Sequence, residues 1–321
     1  MKILLPFIAF FQISYLTAAS DCIGVCTDLK ENFVNEQIEA RYSYKYLGVR
    51  EIKNTSHVES RWNNSTIKDL KISDSSIVES SFSSVKVGNI DVNNSTFAEN
   101  KLSYSSYSSA SFKNVNLEES QLNNTAFGKA SFVNVDATET NFNSTVMPRA
   151  IISNSIFVDT EFKYATLILS DISSTNFSES EMNNTVFLSS LFTDVTFEDV
   201  KLSSADFSLS TFNNVVFDES EIKYGSFSMS KISNSSYIDT EMNNADFSMT
   251  EINNVDFSES DLSSANFAFA ILKNVDFTDA KLEYADFSGA TFINVKIDGA
   301  RFDNVSDDGS SGSPFWIYYL S

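Results

Sequence analysis

From Trp62 to Phe302 every fifth residue is apolar, and of the 49 positions in this register only Ala137 is small. The series begins Trp62, Ile67, Ile72, Ile77, Phe82 and runs without a slip to Phe287, Phe292, Ile297 and Phe302. A period of five matches neither the 3.6 of an α-helix nor the two-residue alternation of an extended strand. It does match a chain that turns two side chains inward and then rounds a corner. Two residues before each large member stands Ala, Ser, Thr or Val, as at Ala205, Ser210, Val215 and Ser220, with Leu70, Ile90, Asn100 and Gly225 as departures. If each unit is one side of a square coil, these two members point inward and the other three face water. Four units then make a turn of about twenty residues. Turns stacked as parallel strands about 4.8 Å apart give about twelve coils and a rod of roughly 58 Å. The expected fold class is all-β, a quadrilateral β-helix.

The composition is a consequence of this lattice. Of 29 phenylalanines, 23 sit on it, and 42% of the 321 residues are hydrophobic, enough for a continuous core. Nine glycines, three prolines, two cysteines and one histidine leave little for histidine-based metal sites or catalytic triads. The net charge of −21, from 43 acidic and 22 basic residues, disfavours nucleic acid and anionic membranes as partners. It leaves room for a basic partner.

The segments Ala205-Asp206-Phe207-Ser208, Ala245-Asp246-Phe247-Ser248, Ala265-Asn266-Phe267 and Ala285-Asp286-Phe287-Ser288 resemble the A(D/N)LXX consensus of the pentapeptide-repeat family. The resemblance covers about three quarters of the chain and implies a right-handed coil with a stacked Phe/Leu interior. The outward positions depart from the family in being crowded with Ser and Asn. A longer period overlies the short one. Asn63-Asn64, Asn123-Asn124, Asn183-Asn184 and Asn243-Asn244 recur every sixty residues, as do Tyr104, Tyr164, Tyr224 and Tyr284. Sixty residues are three coils, so duplication of a three-coil block aligns each set on one face, roughly 14 Å apart. Tyrosine offers rigid amphipathic area, which makes this column the candidate binding face.

The ends read differently. Residues 1–20, with Lys2, an apolar run to about Leu16 and Thr17-Ala18-Ala19-Ser20, have the layout of a secretory signal peptide. The expected localisation is extracellular or the lumen of the secretory pathway, with a mature charge of about −22 and no membrane span in the mature chain. In that compartment the sequons at Asn54, Asn63, Asn64, Asn93, Asn94, Asn123, Asn143, Asn176, Asn183, Asn234 and Asn304 become glycosylation candidates. Cys22 and Cys26 are disulfide candidates, either with each other or as a link to another chain. Residues 21–61 form an N-terminal cap segment, residues 62–305 the coil, and residues 306–321 a flexible linker with the apolar tail Pro314-Phe315-Trp316-Ile317-Tyr318-Tyr319-Leu320, expected to fold over the last turn. The segments 33–38, 44–50 and 56–60 resemble the entry into the luminal domain of the synaptic vesicle glycoprotein 2 family, which implies a glycosylated luminal module; this chain lacks the transporter helices.

No catalytic site, cofactor or metal site is expected. His57, the sole histidine, lies on the five-residue lattice and reads as a cap residue. Carboxylate pairs such as Glu219/Glu221 and Glu259/Asp261 lie on outward positions, and a coil filled by phenylalanine has no cleft in which to raise the pKa of one of them. No Gly-punctuated calcium loop is present. The expected function is a non-enzymatic interaction or structural scaffold with an unknown protein or glycan partner, and an end-to-end or disulfide-linked dimer as its oligomer. The alternative is an acidic rod that mimics nucleic acid or inhibits a DNA-binding enzyme, by analogy with family members that resemble DNA in shape and protect gyrase.

Overall fold

A computed structural model describes residues 32–34, 37–43, 46–54, 57–308 and 311. Residues 1–20, on which the expected signal peptide falls, Cys22, Cys26 and residues 312–321 lie outside the described residues. Within them the chain is a parallel β-solenoid of about twelve turns without helices. Strand pairing advances by one turn of twenty, as in Leu191↔Thr211, Thr211↔Lys231 and Lys231↔Glu251. The twenty-residue register already holds upstream of Trp62, where Gln37–Ser43 pairs with His57–Asn63 and Tyr46–Lys53 with Thr66–Ser73. The segment ahead of the lattice thus forms coils as well as an end. His57 enters this pairing opposite Gln37.

Along most of the rod each coil has one six-residue strand, such as Thr211–Val216 or Glu251–Asp256, which passes round a corner at its fourth residue, and the rest of the coil is short bridges separated by tight turns. The first coils are flatter, with strands Lys86–Thr96 and Ser106–Asn116 running through a position that becomes a corner later. Gly88 is required there, because a Cβ on it would stand 2.2 Å from the Lys68 carbonyl oxygen.

Both inward lattices are buried. In the C-terminal half the large members sort by side. One side stacks Phe187, Phe207, Phe227, Phe247, Phe267 and Phe287 with centroids 4.8–5.1 Å apart. The opposite side stacks Phe197, Phe217, Tyr237, Phe257 and Phe277 at 4.8–5.4 Å. Rings of the two ladders meet edge to face, as in Phe227–Tyr237 at 6.0 Å and 83°. The remaining sides carry mainly Ile, Leu and Met, such as Ile232, Ile252, Met242 and Leu262. Offset stacking along the axis with edge-to-face contact across it suits the ring quadrupole in both directions.

The small inward lattice explains how so many hydroxyls are buried. Ser210 donates to the Phe187 carbonyl at 2.9 Å and accepts the Ser190 amide at 3.0 Å, so a single oxygen links neighbouring coils. Thr185, a sequon threonine, donates to the Phe162 carbonyl at 2.7 Å, and Ser180 and Ser220 make the same kind of bond. A buried hydroxyl is tolerated when satisfied in this way. The Asp of the Ala-Asp-Phe-Ser segments accepts the amide two residues on, as Asp206 does from Ser208 at 2.9 Å and Asp286 from Ser288 at 2.8 Å.

Phe207 touches stacked rings above and below and four more edge to face. Phe207→Ala is expected to lower unfolding free energy by about 3–5 kcal/mol in equilibrium denaturation, against a change within about 0.5 kcal/mol for outward Ser208→Ala. Tyr237 places its hydroxyl in the ring ladder without a hydrogen-bond partner. Tyr237→Phe is therefore expected to stabilise the rod by about 1 kcal/mol in the same measurement.

Candidate functional site at the corners of the coil

Except at Asp69, Asn89 and Ser109 of the first coils, the residue two positions after a large inward side chain rounds the corner with positive φ, between 47° and 63° at non-glycine corners and 69° and 74° at Gly289 and Gly299. At many corners, chiefly in the C-terminal half, the turn closes with a backbone bond three residues long, such as the Ala205 amide to the Leu202 carbonyl at 3.0 Å. Positive φ at the third residue of such a turn is the type II pattern, which favours Gly or Asn. Here the same conformation is imposed on Tyr, Leu, Met, Phe, Glu and Lys. Corner side chains project into water, so packing does not choose them.

Four corners per coil generate four columns along the rod. The first repeats Asn, Ser, Tyr and brings the four predicted tyrosines into one line, with Tyr104, Tyr164, Tyr224 and Tyr284 each 64–65% exposed. Next to them the two members of each Asn doublet separate. The first is half-buried and ties coils together: Asn63 accepts the Ser83 amide at 3.2 Å and Asn183 the Ser203 amide at 2.8 Å from the following coil, while Asn123 accepts the Ser103 hydroxyl of the preceding one at 2.5 Å. The second stands on the corner. The sequons divide in the same way. Asn54, Asn64, Asn94, Asn234 and Asn304 are exposed, whereas Asn63, Asn93, Asn123, Asn143, Asn176 and Asn183 are half-buried.

The second column is apolar in the C-terminal half. The third is an asparagine ladder on the six-residue strand side. Asn114 donates to Asn94 at 2.7 Å, Asn134 to Asn114 at 2.9 Å, Asn254 to Asn234 at 3.0 Å and Asn294 to Asn274 at 2.8 Å. Two equivalent open grooves of about 600–660 Å³ run beside it, one along Asn94 and Asn114 and one along Asn254 and Asn274. The fourth column carries a carboxylate in eleven successive coils, from Glu79 and Glu99 through Glu219 to Asp279, all exposed. Glu219 and Glu259 belong to it, while Glu221 and Asp261 face a different side and pair with Lys223 and Lys281. Among the described residues no three His, Cys, Asp or Glu side chains converge as metal ligands, and no helix is long and apolar enough to cross a membrane. The asparagine and acidic columns escape a reading in units of five. Folding the sequence on a period of twenty would have exposed both.

The tyrosine column is braced by ions. Lys163, ahead of Tyr164, pairs with Glu181, which also holds Lys201 at 2.8 Å; Lys223, ahead of Tyr224, bridges Glu221 and Glu241. Hydrogen bonds from Lys163 and then Lys201 hold the Glu181 carboxyl down at about 2 from its ordinary 4.5. A depressed carboxylate contributes stability that is present above its unfolded pKa and lost as pH falls through its folded one. Glu181→Gln is expected to flatten the stability–pH curve between 4.5 and about 2, a modest effect because the pair is one-third exposed. The acidic column has the opposite sense: like charges about 5 Å apart repel, and salt screens them. Melting temperature is expected to rise by a few degrees from low to high NaCl, and a Glu119→Gln, Glu139→Gln, Glu179→Gln variant should start higher and respond less.

Comparison with known proteins returns two profiles of one family. The one described as pentapeptide repeat region matches residues 230–306, and the one described as pentapeptide repeats (8 copies) matches residues 110–154 and 170–208, together about half of the chain. No curated protein matches. Among solved structures, HetL, a pentapeptide repeat protein involved in heterocyst differentiation regulation from the cyanobacterium Nostoc sp. strain PCC 7120, is 15% identical over 72% of this chain and 89% of its own, with a TM-score of 0.29. Full-length QnrB1, a plasmid-mediated fluoroquinolone resistance protein, is 14% identical over 76% of this chain and 93% of its own, with a TM-score of 0.23. A pentapeptide repeat protein of the Arabidopsis thaliana thylakoid lumen is 30% identical over 30% of this chain and 58% of its own, with a TM-score of 0.14.

Proposed function

For a chain that belongs to the pentapeptide-repeat family, we propose a secreted or luminal, N-glycosylated and non-enzymatic rod whose tyrosine corner binds an elongated protein or glycan. One observation carries this reading: four tyrosines, three coils apart and nearly two-thirds exposed, occupy corners whose left-handed backbone favours Asn or Gly. Equal spacing lets several weak contacts act together on a partner of matching length. The half-buried members of the Asn doublets are committed to inter-coil bonds, and so are Asn94 and Asn234 in the asparagine ladder, so glycans belong on the other exposed sequons, Asn54, Asn64 and Asn304. The likeness of the entry segment to a glycosylated luminal domain supports the same compartment.

Tyr164→Ser with Tyr224→Ser is expected to leave the circular dichroism melt nearly unchanged. It should weaken retention on immobilised neutral glycans, or self-association in sedimentation, by roughly tenfold, which corresponds to 1.4 kcal/mol. Intact retention and association would place the binding face elsewhere. Expression in a glycosylating host should yield protein in the medium whose mass falls on endoglycosidase treatment. The eleven-carboxylate column favours the second reading, an acidic mimic of nucleic acid. That reading requires the rod to compete with duplex DNA for a DNA-binding enzyme, with the competition abolished at high salt.

A further inference from the structure

The second corner column changes character along the rod. It carries Lys129 and Arg149 and then becomes apolar, with Leu169 followed, after Ser189, by Leu209, Met229, Met249 and Phe269 in four consecutive coils. These last four are 51–66% exposed and have φ of 57–60°. Bulky apolar side chains gain nothing in water, and the left-handed backbone disfavours them relative to Asn or Gly. Stability of the coil therefore does not account for them. The ridge ends at Gly289, over which the Phe269 ring lies so closely that a Cβ would stand 2.6 Å from it. The outward column on one side of the ridge, Ser208, Ser228, Ser248, Ala268 and Ser288, is uncharged, and on the other side Thr211, Lys231, Glu251 and Ile271 balance, with Lys231 paired to Glu251 at 3.0 Å, which leaves a strip without net charge on a strongly acidic molecule.

Ser311 pairs with Thr291, two residues beyond Gly289, so the chain leaves the described coil beside the end of this ridge. The next ten residues contain no charge and include Phe315, Trp316, Ile317, Tyr318, Tyr319 and Leu320. Extended, ten residues reach roughly 33 Å. The distance from the level of Ser311 back to Leu209, five coils, is about 24 Å. Four half-exposed apolar side chains form a patch on the order of 300 Å², well below the roughly 800 Å² per partner of a standard interface. That is too little for a stable dimer and enough for one short apolar segment. We propose that residues 312–321 run back along the rod and cover the Leu209–Met229–Met249–Phe269 ridge of the same molecule.

The test uses Trp316 as reporter in the full chain. Of the two tryptophans, Trp62 is buried and stacks on Phe82, so Trp62→Phe leaves Trp316 alone. Acrylamide quenching is compared between this protein and the same protein with Met229→Asn and Met249→Asn; asparagine suits the left-handed corner. Should that pair not fold, Phe269→Asn serves alone. The expected result is an unchanged melt and a quenching constant that rises by roughly twofold or more as the indole passes from contact to water. An unchanged quenching constant overturns the proposal and places the segment elsewhere, such as over the last coil. Protection that disappears on dilution, in step with a dimer-to-monomer change in sedimentation, also overturns it, because the ridge would then be covered by a second copy.

Discussion

Everything in this rod depends on the register between coils. Each twenty-residue turn is held to the next by backbone hydrogen bonds such as Phe207 to Ser226 at 2.7 Å, and that bond spacing places ring upon ring about 5 Å apart. The stacked rings in turn forbid any slip, because a displacement of one residue would carry every large side chain to the outside. Backbone pairing and aromatic stacking thus specify the same geometry. A chain with few glycines and no disulfide among its described residues can use it over most of its length. Contacts reach only neighbouring coils, so stability grows with each added turn and the ends become the exposed places.

This division frees the outside. Two residues in five belong to the core, and the second, fourth and fifth positions of a unit that begins with the small residue face water. The corner position is the freest of all, since its side chain projects away from both adjoining sides. Four chemically distinct columns result: tyrosine at every third coil, an apolar ridge, an asparagine ladder and an unbroken acidic line. A left-handed corner would be filled by Asn or Gly if conformation alone decided. The asparagine ladder follows that preference and adds amide bonds between coils. The other three columns depart from it.

The coil was legible in the sequence because its determinant is local and strictly periodic. Phe207, Phe247 and Phe287 announce the inner lattice, and Ala205, Ser210 and Val215 the small one. The tyrosine line was legible too, since sixty is a multiple of twenty. The acidic and asparagine columns were not, because Glu79 and Glu99 become neighbours only when turns are stacked, and a search in fives scatters them among the other outward carboxylates. The coils of residues 37–53 were hidden because their small-residue lattice is broken, although the backbone pairs in the same register. The burial of Ser and Thr on the inner lattice needed the carbonyls one coil away to become intelligible.

The central claim is that chain position converts into height at one coil per twenty residues. Spin labels on cysteines replacing tyrosines of the first column measure this directly, in a Cys22→Ser, Cys26→Ser background. Pairs at 104/164, 104/224 and 104/284 are expected at about 14, 29 and 43 Å, with a linear increase. Distances that fail to grow in proportion to the number of intervening turns would contradict the stacked coil and every column built on it.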